Sequence, residues 1–553
     1  MSITTFLSLI LCIIIIISLI TTISSSSDEE LSSWCKETPN PESCTRFVTR
    51  TGHPTSSAGR PHHQRRAATF REMNIEAALK KALDVQSQLT RLKSTCRTPQ
   101  ETTVWSDCTK LHAGTVRHLN TTLSCLRGGG RCTDFDAQTW LSSALTNVAT
   151  CRAGSADLNL PPRFVDPILA GSSNLSELIT NTLAVNGAML AAAAEEEEEK
   201  GENASSDDEF VPAGWMRRGG RRLLEGSIAS VNVKADAVVA KDGSGKFATV
   251  QAAIDLAGRR GDFGERFIIR VKRGVYVENI EVVDGNRNVW LVGDGLEDTV
   301  ITGHRSVGSG SYTTFSSATA GIDGARFVAR GITFANTAGP KKGQAVALRS
   351  ASDLAVFYQC SFKGYQDTLF VQTQRQFFRE CHVSGTVDFI FGNAAAVFQK
   401  CVIYVRRPVP GQTNIITAQG RVNAFEHTGI SIHNSKILAS AELKAAGPGK
   451  FETYLGRPWM EYSRAVIMKT YLHRIVNPAG WSKWGGKDDF GLSTLYFGEY
   501  KNFGPGSSLR SRVKWEGFHA IHDAVTAKHF TVRGLYAGRS WLSSTGVPFN
   551  DGL

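Results

Sequence analysis

The sequence lacks several features that mark disordered, fibrous or metal-binding proteins. It has only 17 prolines among 553 residues, which argues against a disordered or fibrous chain. Its 13 histidines include no pair at the spacing of a metal site with cysteine or carboxylate partners. It also contains no nucleic-acid-binding motif. We therefore predict no metal, no cofactor and no nucleic-acid partner.

Hydrophobic residues make up 41% of the chain and charged residues 20%, enough for buried cores in two or three domains. The net charge of +11 is unevenly distributed. Residues 1–235 carry 24 Lys and Arg against 25 Asp and Glu, whereas residues 236–553 carry 38 against 26. The second part, with a net charge of +12, is expected to attract polyanions such as acidic polysaccharides.

The N terminus is apolar from Phe6 to Ile20 and then polar from Thr21 to Glu30. This pattern is typical of a secretory signal peptide, which we place at residues 1–27. No Lys or Arg precedes the apolar run, and its length approaches that of a membrane span, so a signal anchor is the alternative. In both cases the rest of the chain enters the secretory pathway, and membrane attachment is expected only for an uncleaved anchor.

Residues 28–190 form the first predicted domain. From residue 67 onwards, apolar residues recur three to four positions apart, which predicts long helices and a small helical bundle. Seven of the 11 cysteines lie in this part, and a secretory compartment permits disulfides. Three glycosylation motifs predict exposed surface here and in the following segment, at Asn120, Asn174 and Asn203.

Residues 191–235 are predicted to be a linker. They include AAAAEEEEEKGENASSDDE, a run of small and acidic residues that cannot form a core. Two basic pairs follow in a glycine-rich stretch, and the second pair begins the motif RRLL. We expect proteolytic processing at this motif, which consists of Arg221, Arg222, Leu223 and Leu224.

Residues 236–553 form the second predicted domain. Short Val-, Ile- and Phe-rich runs between Gly and Asn predict strands and turns. A pattern F-x-x-C-x-apolar starts at Phe357, Phe378 and Phe398 and recurs more weakly at Ile432. The spacings of 21 and 20 residues match one coil of a parallel β-solenoid. A β-sandwich whose strands recur by chance is the alternative.

The repeat also places two carboxylates in register. Asp367 and Asp388 each lie seven residues after the cysteine of their repeat, so we expect them on neighbouring coils. Two carboxylates this close cannot both ionise easily, so one becomes an acid and the other remains an anion and nucleophile. A ladder of turn-capping aspartates is the alternative.

Eight motifs in this domain resemble those of plant pectin methylesterases, in the same order. They are GVYVENI, GITFANTAGP, QAVALRS, GYQDTLF, GTVDFIFGNAA, NIITAQGR, TYLGRPW and NPAGWSKW. The resemblance covers residues 236–549. It implies an all-β, right-handed parallel β-helix that hydrolyses the methyl esters of polygalacturonate.

The resemblance also implies roles for individual residues. Asp388 is expected to be the nucleophile and Asp367 the proton donor and later the base. Gln366 stabilises the oxyanion together with Gln344, and Arg457 orients Asp388. The positions expected to contact the sugar are Thr314, Gln344, Phe391, Arg457 and Trp459.

Each assignment has a structural alternative. For Gln344 the alternative is a cap at the end of a strand, and for Arg457 it is a structural ion pair. For Phe391 and Trp459 the alternative is a role in packing alone. The chain also departs from the family pattern in three places. Phe370 and Phe378 replace tyrosines and Gln372 replaces a histidine, which affects the expected substrate fit and pH optimum.

The N-terminal domain resembles the pectin methylesterase inhibitor domain that precedes many such enzymes, an all-α, disulfide-tied four-helix bundle. The resemblance implies the disulfides Cys35–Cys44 and Cys108–Cys151, and the RRLL motif is similar to the family's processing site. In the β-helix the family suggests Cys381–Cys401, one coil apart, and a ladder of buried free thiols is the alternative. The pairing of four further cysteines stays open: Cys96, Cys125, Cys132 and Cys360.

The sequence therefore predicts a secreted pectinesterase proenzyme of the plant cell wall. Its expected partners are pectin homogalacturonan, a subtilisin-like processing protease and pectinesterase inhibitor proteins. A polygalacturonase or pectate lyase is the enzymatic alternative, because these are also β-helices with acidic residues. A catalytically inert inhibitor or binding protein is the other alternative.

Overall fold

A computed structural model describes residues 32–48, 62–129, 132–200, 235–261, 264–485 and 489–553. The predicted leader, Asn203 and the RRLL motif lie outside these residues. The chain divides into two compact units. Unit 1 comprises Met1–Arg91, His112–Val148 and Asp166–Ala204, and unit 2 comprises Leu92–Leu111, Ala149–Val165 and Ser205–Leu553. No helix among the described residues combines the length and apolarity needed to cross a membrane.

The N-terminal part of the chain is helical, as predicted. Its helices are α1 (Pro41–Val48), α2 (His62–Leu92), α3 (Pro99–Ser124), α4 (Asp134–Asp157) and α5 (Pro162–Lys200). A 3₁₀ turn (Lys93–Thr95) and a π-helical turn (Cys125–Gly129) flank α3. Helix α5 continues through residues 191–200, the start of the predicted linker. Asn120 is exposed and Asn174 half-buried on their helices, and their glycosylation stays a prediction.

Local sequence determines where the long helices begin. Before α3, the Thr98 hydroxyl accepts a hydrogen bond from the Glu101 amide at 3.1 Å, and the Glu101 carboxylate accepts one from the Thr98 amide at 3.2 Å. Thr133 and Asp136 form the same reciprocal pair before α4. These capping boxes satisfy amides that have no partner within the helix.

Three disulfides tie the helical part together. Cys35–Cys44 and Cys108–Cys151 are the two pairs that the family resemblance implies. The third, Cys125–Cys132, closes the loop between α3 and α4. Cys96 is a free thiol.

Residues 237–520 form a parallel β-helix, which confirms the predicted fold of the second domain. Three parallel sheets make up its faces. Sheet 1 contains β1 (Ala237–Val239), β2 (Phe267–Val271), β5 (Val289–Gly293), β8 (Val328–Arg330), β11 (Ala355–Tyr358), β14 (Arg375–Arg379), β17 (Ala395–Gln399), β20 (Gly429–His433), β23 (Arg464–Met468), β25 (Tyr496–Tyr500) and β26 (Phe518–Ala520).

The other two sheets supply the remaining sides of each coil. Sheet 2 contains β3 (Gly274–Val277), β6 (Thr299–Gly303), β9 (Thr333–Asn336), β12 (Ser361–Lys363), β15 (His382–Gly385), β18 (Val402–Val405), β21 (Lys436–Ala439) and β24 (Tyr471–Leu472). Sheet 3 contains β4 (Ile280–Val282), β7 (Ala320–Ile322), β10 (Leu348–Ser350), β13 (Leu369–Val371), β16 (Ile390–Gly392), β19 (Asn414–Gln419) and β22 (Thr453–Gly456).

Short helices pack against the β-helix, and those near the C terminus lie along sheet 1. They are α6 (Val250–Gly258), α7 (Ala441–Ala445), α8 (Ala524–Lys528), α9 (Val532–Tyr536) and α10 (Arg539–Leu542). Two 3₁₀ turns accompany them, at Val307–Ser309 and Ser543–Thr545.

The sequence repeat determines the strand register. Phe357 pairs with Phe378, Phe378 with Phe398, and Phe398 with Ile432 on successive strands of sheet 1. The rings of Phe357 and Phe378 stack with centroids 4.8 Å apart, and those of Phe378 and Phe398 stack at 4.4 Å. All four side chains are fully buried. Identical positions therefore stack through the core, as the 20- and 21-residue spacings predict.

The bridge expected between Cys381 and Cys401 is wrong, because both are free thiols. Cys381 Sγ lies 3.3 Å from the Phe357 carbonyl oxygen of the preceding coil, and Cys401 Sγ lies 3.5 Å from that of Phe378. Each thiol thus contacts a backbone carbonyl of its neighbouring coil. Together with the buried Cys360 they form the thiol ladder that was the alternative, and burial raises the pKa of Cys381 well above its ordinary value.

This arrangement predicts a specific pattern of thiol reactivity. Iodoacetamide should label Cys96 in the native protein, and it should label Cys360, Cys381 and Cys401 only after unfolding without reductant, because these three side chains are buried. Peptide mapping by mass spectrometry measures this. Recovery of a linked Cys381–Cys401 peptide would contradict the thiol ladder.

Candidate active site

The register of sheet 3 brings Asp367 and Asp388 onto neighbouring coils. Leu369 on β13 pairs with Ile390 on β16, and each aspartate lies two residues before its strand residue. The Asp367 amide donates a hydrogen bond to the Val387 carbonyl at 3.0 Å. Both aspartates are largely buried and line one cleft.

Both aspartates have a left-handed backbone, with φ of 60° for Asp367 and 49° for Asp388. Few residues other than glycine adopt this backbone conformation, and aspartate tolerates it better than most. Such residues concentrate at functional sites, where the surrounding structure enforces the conformation. Here the ladders of sheet 3 on either side enforce it.

Arg457 binds Asp388 through two hydrogen bonds. Its Nε donates to Oδ1 at 2.9 Å and its Nη2 to Oδ2 at 2.6 Å. Arg457 directly follows β22, and its guanidinium lies 4.3 Å from the ring centre of Trp484. This two-point contact fixes the plane of the carboxylate as well as its charge.

The surroundings of the two carboxyls differ in charge. Burial raises the pKa of Asp367 well above its ordinary range, and the neighbouring Asp388 and Asp157 raise it further. Burial also raises the pKa of Asp388, but the hydrogen bonds and charge of Arg457 oppose this effect. Of the two carboxyls, Asp367 is therefore the one whose pKa is raised further above its ordinary range.

The cleft has a volume of about 390 Å³. It brings together all the residues that the sequence assigned to catalysis and sugar contact: Thr314, Gln344, Gln366, Asp367, Asp388, Phe391, Arg457 and Trp459. Gln344 and Gln366 lie on adjacent coils, because the Ala345 amide donates to the Gln366 carbonyl at 3.2 Å. Two side-chain amides thus lie beside the carboxyl pair as possible hydrogen-bond donors.

An aromatic wall borders the carboxyls. Phe370 and Phe391 stack with ring centres 4.4 Å apart, and Trp459 contacts both edge-on. A Cβ at Gly420 would lie 2.6 Å from the Trp459 ring, so only glycine leaves room for this indole. Aromatic faces of this kind suit the apolar faces of sugar rings.

Two of the three departures from the family pattern, Gln372 and Phe378, lie outside the lining of the cleft. Gln372 accepts a hydrogen bond from Arg349 Nη1 at 3.0 Å, and Phe378 packs in the core. Only Phe370, among the three departures, lines the cleft.

Sequence reasoning missed several cleft residues, among them Trp484 and Asp157. Trp484 stands in the recognised motif NPAGWSKW, which could have drawn attention to it. Asp157 belongs to the helical part of the sequence and carries no local signal. Its Oδ2 accepts a hydrogen bond from the Thr314 amide at 2.7 Å.

The helical segments that belong to unit 2 make further contacts with the β-helix. Asp107 Oδ2 accepts a hydrogen bond from the Thr313 hydroxyl at 2.5 Å, and Lys110 Nζ lies 2.8 Å from Asp323. Burial raises the pKa of Asp107 to about 6. Beside Asp157, the last turns of α4 place four more residues in the cleft wall: Thr150, Ala153, Gly154 and Ala156.

The described residues contain no cluster of three or more His, Cys, Asp and Glu side chains that could hold a metal ion. The polar groups that line the cleft include the carboxyl pair, the guanidinium of Arg457 and the side-chain amides of Gln344 and Gln366.

A parallel β-helix whose aromatic cleft holds two neighbouring carboxyls, an arginine and amide donors is typical of a carbohydrate-active hydrolase. Residues 236–539 match the pectinesterase family model, and residues 29–185 match the model for plant invertase/pectin methylesterase inhibitor. The chain belongs to the pectinesterase family, with an inhibitor-type domain at its N terminus.

Individual proteins show the same similarity. The chain is 51% identical to the probable pectinesterase/pectinesterase inhibitor 59 of Arabidopsis thaliana, over 95% of each chain. It is 46% identical to pectinesterase 2 of Citrus sinensis, again over 95% of each chain. Among solved structures, the pectin methylesterase from carrot is 49% identical, with a TM-score of 0.57 over 59% of this chain and 100% of that one.

The electrostatics of the site predict how its pH dependence responds to Arg457. Replacing Arg457 by Met removes the positive charge that favours ionised Asp388, so the pKa of Asp388 should rise. Because Asp388 must be ionised to act as an anion, the acidic limb of the pH–activity profile should shift to higher pH. Arg457→Lys should shift it less, and Arg510→Met, at an exposed position, should not. An unshifted limb in Arg457→Met would contradict the ion pair's role.

Proposed function

We propose that this protein hydrolyses the methyl esters of homogalacturonan in pectin and releases methanol. The observation that carries the proposal is the asymmetry between Asp367, whose pKa is raised well above its ordinary range, and the arginine-bound Asp388 in one cleft. The named relatives and the carrot enzyme, which are pectinesterases, support the same substrate class.

The chemistry follows from the charges of the two carboxyls. Asp388 Oδ attacks the C6 carbonyl carbon of a methylated galacturonate, and the amides of Gln366 and Gln344 stabilise the resulting oxyanion. When the C–O bond to the methoxy group breaks, Asp367 donates its proton and methanol leaves. The product of this step is an acyl-enzyme on Asp388.

The second half of the reaction reverses the role of Asp367. Its carboxylate now takes a proton from water, and the hydroxide oxygen attacks the acyl carbon. The bond to Asp388 breaks, which releases a galacturonic acid, and this acid then loses its proton to solvent and becomes a carboxylate. Asp367 is again protonated and Asp388 is again an anion beside Arg457.

The site favours an esterase over a polygalacturonase or pectate lyase. Glycosidases use a pair of carboxyls on either side of a glycosidic bond, whereas here both oxygens of Asp388 accept hydrogen bonds from one arginine. The amides beside Asp367 fit a carbonyl oxygen that gains charge. An inert binding protein would not require this arrangement of acid, anion and donors.

The catalytic roles predict large and separable effects. Asp388→Asn should lower methanol release by roughly 10⁴-fold or more, because it removes the nucleophile. Asp367→Asn should give a loss of similar size, and Gln366→Ala a loss of roughly 10²–10³-fold. Methanol and reducing ends released from methylated pectin are both measured.

The matched control is Asp489→Asn, since that side chain is 91% exposed. It should retain full activity. A folded Asp388→Asn with near-native methanol release would refute the mechanism. Release of reducing ends without methanol would instead support the glycosidase alternative.

We further propose that the protein is secreted to the plant cell wall as a proenzyme. Asp157 and the end of α4 occupy part of the cleft wall, and Asp157 holds the backbone of Thr314, a proposed sugar contact. These segments leave less room for a polysaccharide. Cleavage at RRLL by a subtilisin-like protease would separate them from residues 236–553, and pectinesterase inhibitor proteins are candidate later partners.

The proenzyme proposal predicts the behaviour of a processing-deficient chain. With Arg221 and Arg222 replaced by Ala, a larger precursor should accumulate, glycosylated at Asn120, Asn174 and Asn203 and with depressed activity. Adding Asp107→Ala and Asp157→Ala should raise its methanol release. These substitutions remove the hydrogen bond from the Thr313 hydroxyl to Asp107 and the one from the Thr314 amide to Asp157. Gel mobility with and without glycosidase, and the activity per mole, measure this.

The control for these substitutions is Asp166→Ala, at an exposed position outside the cleft. It should leave the precursor's activity unchanged. A precursor as active as the processed form would show that the N-terminal part does not inhibit the enzyme.

A further inference from the structure

A second cavity lies in unit 2, outside the catalytic cleft. It has a volume of about 380 Å³ and lies between the segment 439–453, which contains α7, and the segment 473–478. We call it the basic pocket and define it by Lys444, His473, Arg474, Leu443 and Phe451. None of these residues belongs to the catalytic cleft.

Two cations, Lys444 and Arg474, border the basic pocket together with the imidazole of His473. Lys444 and Arg474 are exposed, and neither forms an ion pair within the described part of the chain. Burial lowers the pKa of His473, and the charges of Lys444 and Arg474 lower it further. The pocket is therefore electropositive.

His473 supplies a directed hydrogen-bond donor. Its Nδ1 accepts a hydrogen bond from the Ile475 amide at 3.3 Å. In the neutral ring this leaves the proton on Nε2, which can donate to a ligand. An ammonium, a guanidinium and an imidazole N–H together match the acceptor oxygens of a carboxylate.

One acidic residue, Glu452, also lines the pocket, but its oxygens have partners. Oε2 accepts a hydrogen bond from the Tyr454 hydroxyl at 2.9 Å, and Oε1 accepts one from Asn477 Nδ2 at 3.4 Å. The acid on α7 itself, Glu442, pairs with Arg406. Because of these contacts, Glu452 and Glu442 repel an anion in the pocket less strongly.

The walls of the pocket are apolar. Leu443 and Val476 are buried, and Phe451 packs against the core. Helix α7, which carries Leu443 and Lys444, is held at its start by the Ser440 hydroxyl, which accepts from the Leu443 amide at 3.3 Å. Ligand pockets in proteins typically combine an apolar wall with a few placed polar or charged groups.

Strand β22 connects the basic pocket to the catalytic cleft. Its first residue, Thr453, lines the pocket, and Arg457 of the cleft follows its last residue. Four residue steps of extended chain span roughly 13 Å. Thr453 of the pocket and Arg457 of the cleft are thus separated by no more than the length of a short segment of polysaccharide.

We propose that the basic pocket binds a galacturonate carboxylate of the pectin chain at a distance from the ester being cleaved. The proposal rests on the proposed function for the identity of its ligand. Each turnover converts a neutral methyl ester into a carboxylate, so the pocket gains a ligand as the reaction proceeds. It holds chains that already carry product.

The test uses the secreted protein and the double variant Lys444→Ala/Arg474→Ala. Isothermal titration with a long unmethylated oligogalacturonate should show about tenfold or more weaker binding, because two charge-assisted contacts are lost. The KM for partly de-esterified pectin should rise, whereas kcat and the KM for a short methylated oligomer that fits the cleft alone should not change. Thermal unfolding should be unaltered, since both side chains are exposed.

The matched control is Lys400→Ala/Lys436→Ala, which removes two exposed lysines elsewhere on the β-helix. It makes the same change in net charge and should bind oligogalacturonate like the unchanged protein. If both double variants bound oligogalacturonate equally weakly, the loss would come from the net charge and not from the pocket, which would overturn the proposal. So would unchanged binding in Lys444→Ala/Arg474→Ala.

Inorganic phosphate and a neutral galactose oligomer distinguish other ligands. Phosphate that binds the pocket more tightly than the oligogalacturonate would identify a small-anion site and overturn the proposal, whereas weak binding of both probes supports it. Oligogalacturonate binding is measured without turnover. Absence of methanol release in the unchanged protein would therefore refute the proposed function without deciding the pocket.

Discussion

The ion pair between Arg457 and Asp388 determines how the rest of the site works. A buried carboxyl pair alone would share one proton without preference, and neither member would have a fixed role. Two hydrogen bonds from one guanidinium, at 2.9 and 2.6 Å, oppose the rise that burial causes in the pKa of Asp388. The pKa of Asp367 is raised well above its ordinary range. In the proposed mechanism this difference separates the acid from the nucleophile, although the residue types are identical.

This ion pair depends on the register of sheet 3. Thr417 on β19 pairs with Ile390 on β16 and with Gly456 on β22, and Arg457 follows Gly456. The arginine therefore reaches across the coil that carries β19 to meet Asp388. Buried pairs elsewhere link coils in a similar way: Arg375 with Asp353, Arg349 with Asp323 and Arg512 with Glu499. Such pairs add little net stability but specify which partners meet, because an unpaired buried charge is costly.

The fold and the carboxyl pair were predictable from one periodic signal. The recurrence of Phe357, Phe378 and Phe398 gives the length of a coil, and that length places Asp367 beside Asp388. The other cleft residues carry no such signal, and their prediction came from the family resemblance of the motifs that contain them.

What the sequence could not predict depends on three-dimensional contacts without a periodic signal. The 20-residue spacing places Cys381 and Cys401 on neighbouring coils, but it does not tell whether sulfur meets sulfur or a carbonyl oxygen. Asp157 lies 210 positions before Asp367, and only the folded chain brings it near. Trp484 was visible in a motif, but its contact with Arg457 is formed only in the folded chain.

The spacing of the coils has a consequence for how enzymes of this architecture can diversify. Phe357 and Phe378 are 21 residues apart and Phe378 and Phe398 are 20 apart, whereas Phe398 and Ile432 are 34 apart. Extra residues are thus tolerated in the turns of later coils, which lie outside the stacked positions. Insertions or deletions there can reshape the surface that meets the polymer while the distance between the two aspartates stays constant. The reaction and the choice of substrate can therefore evolve separately in a single chain.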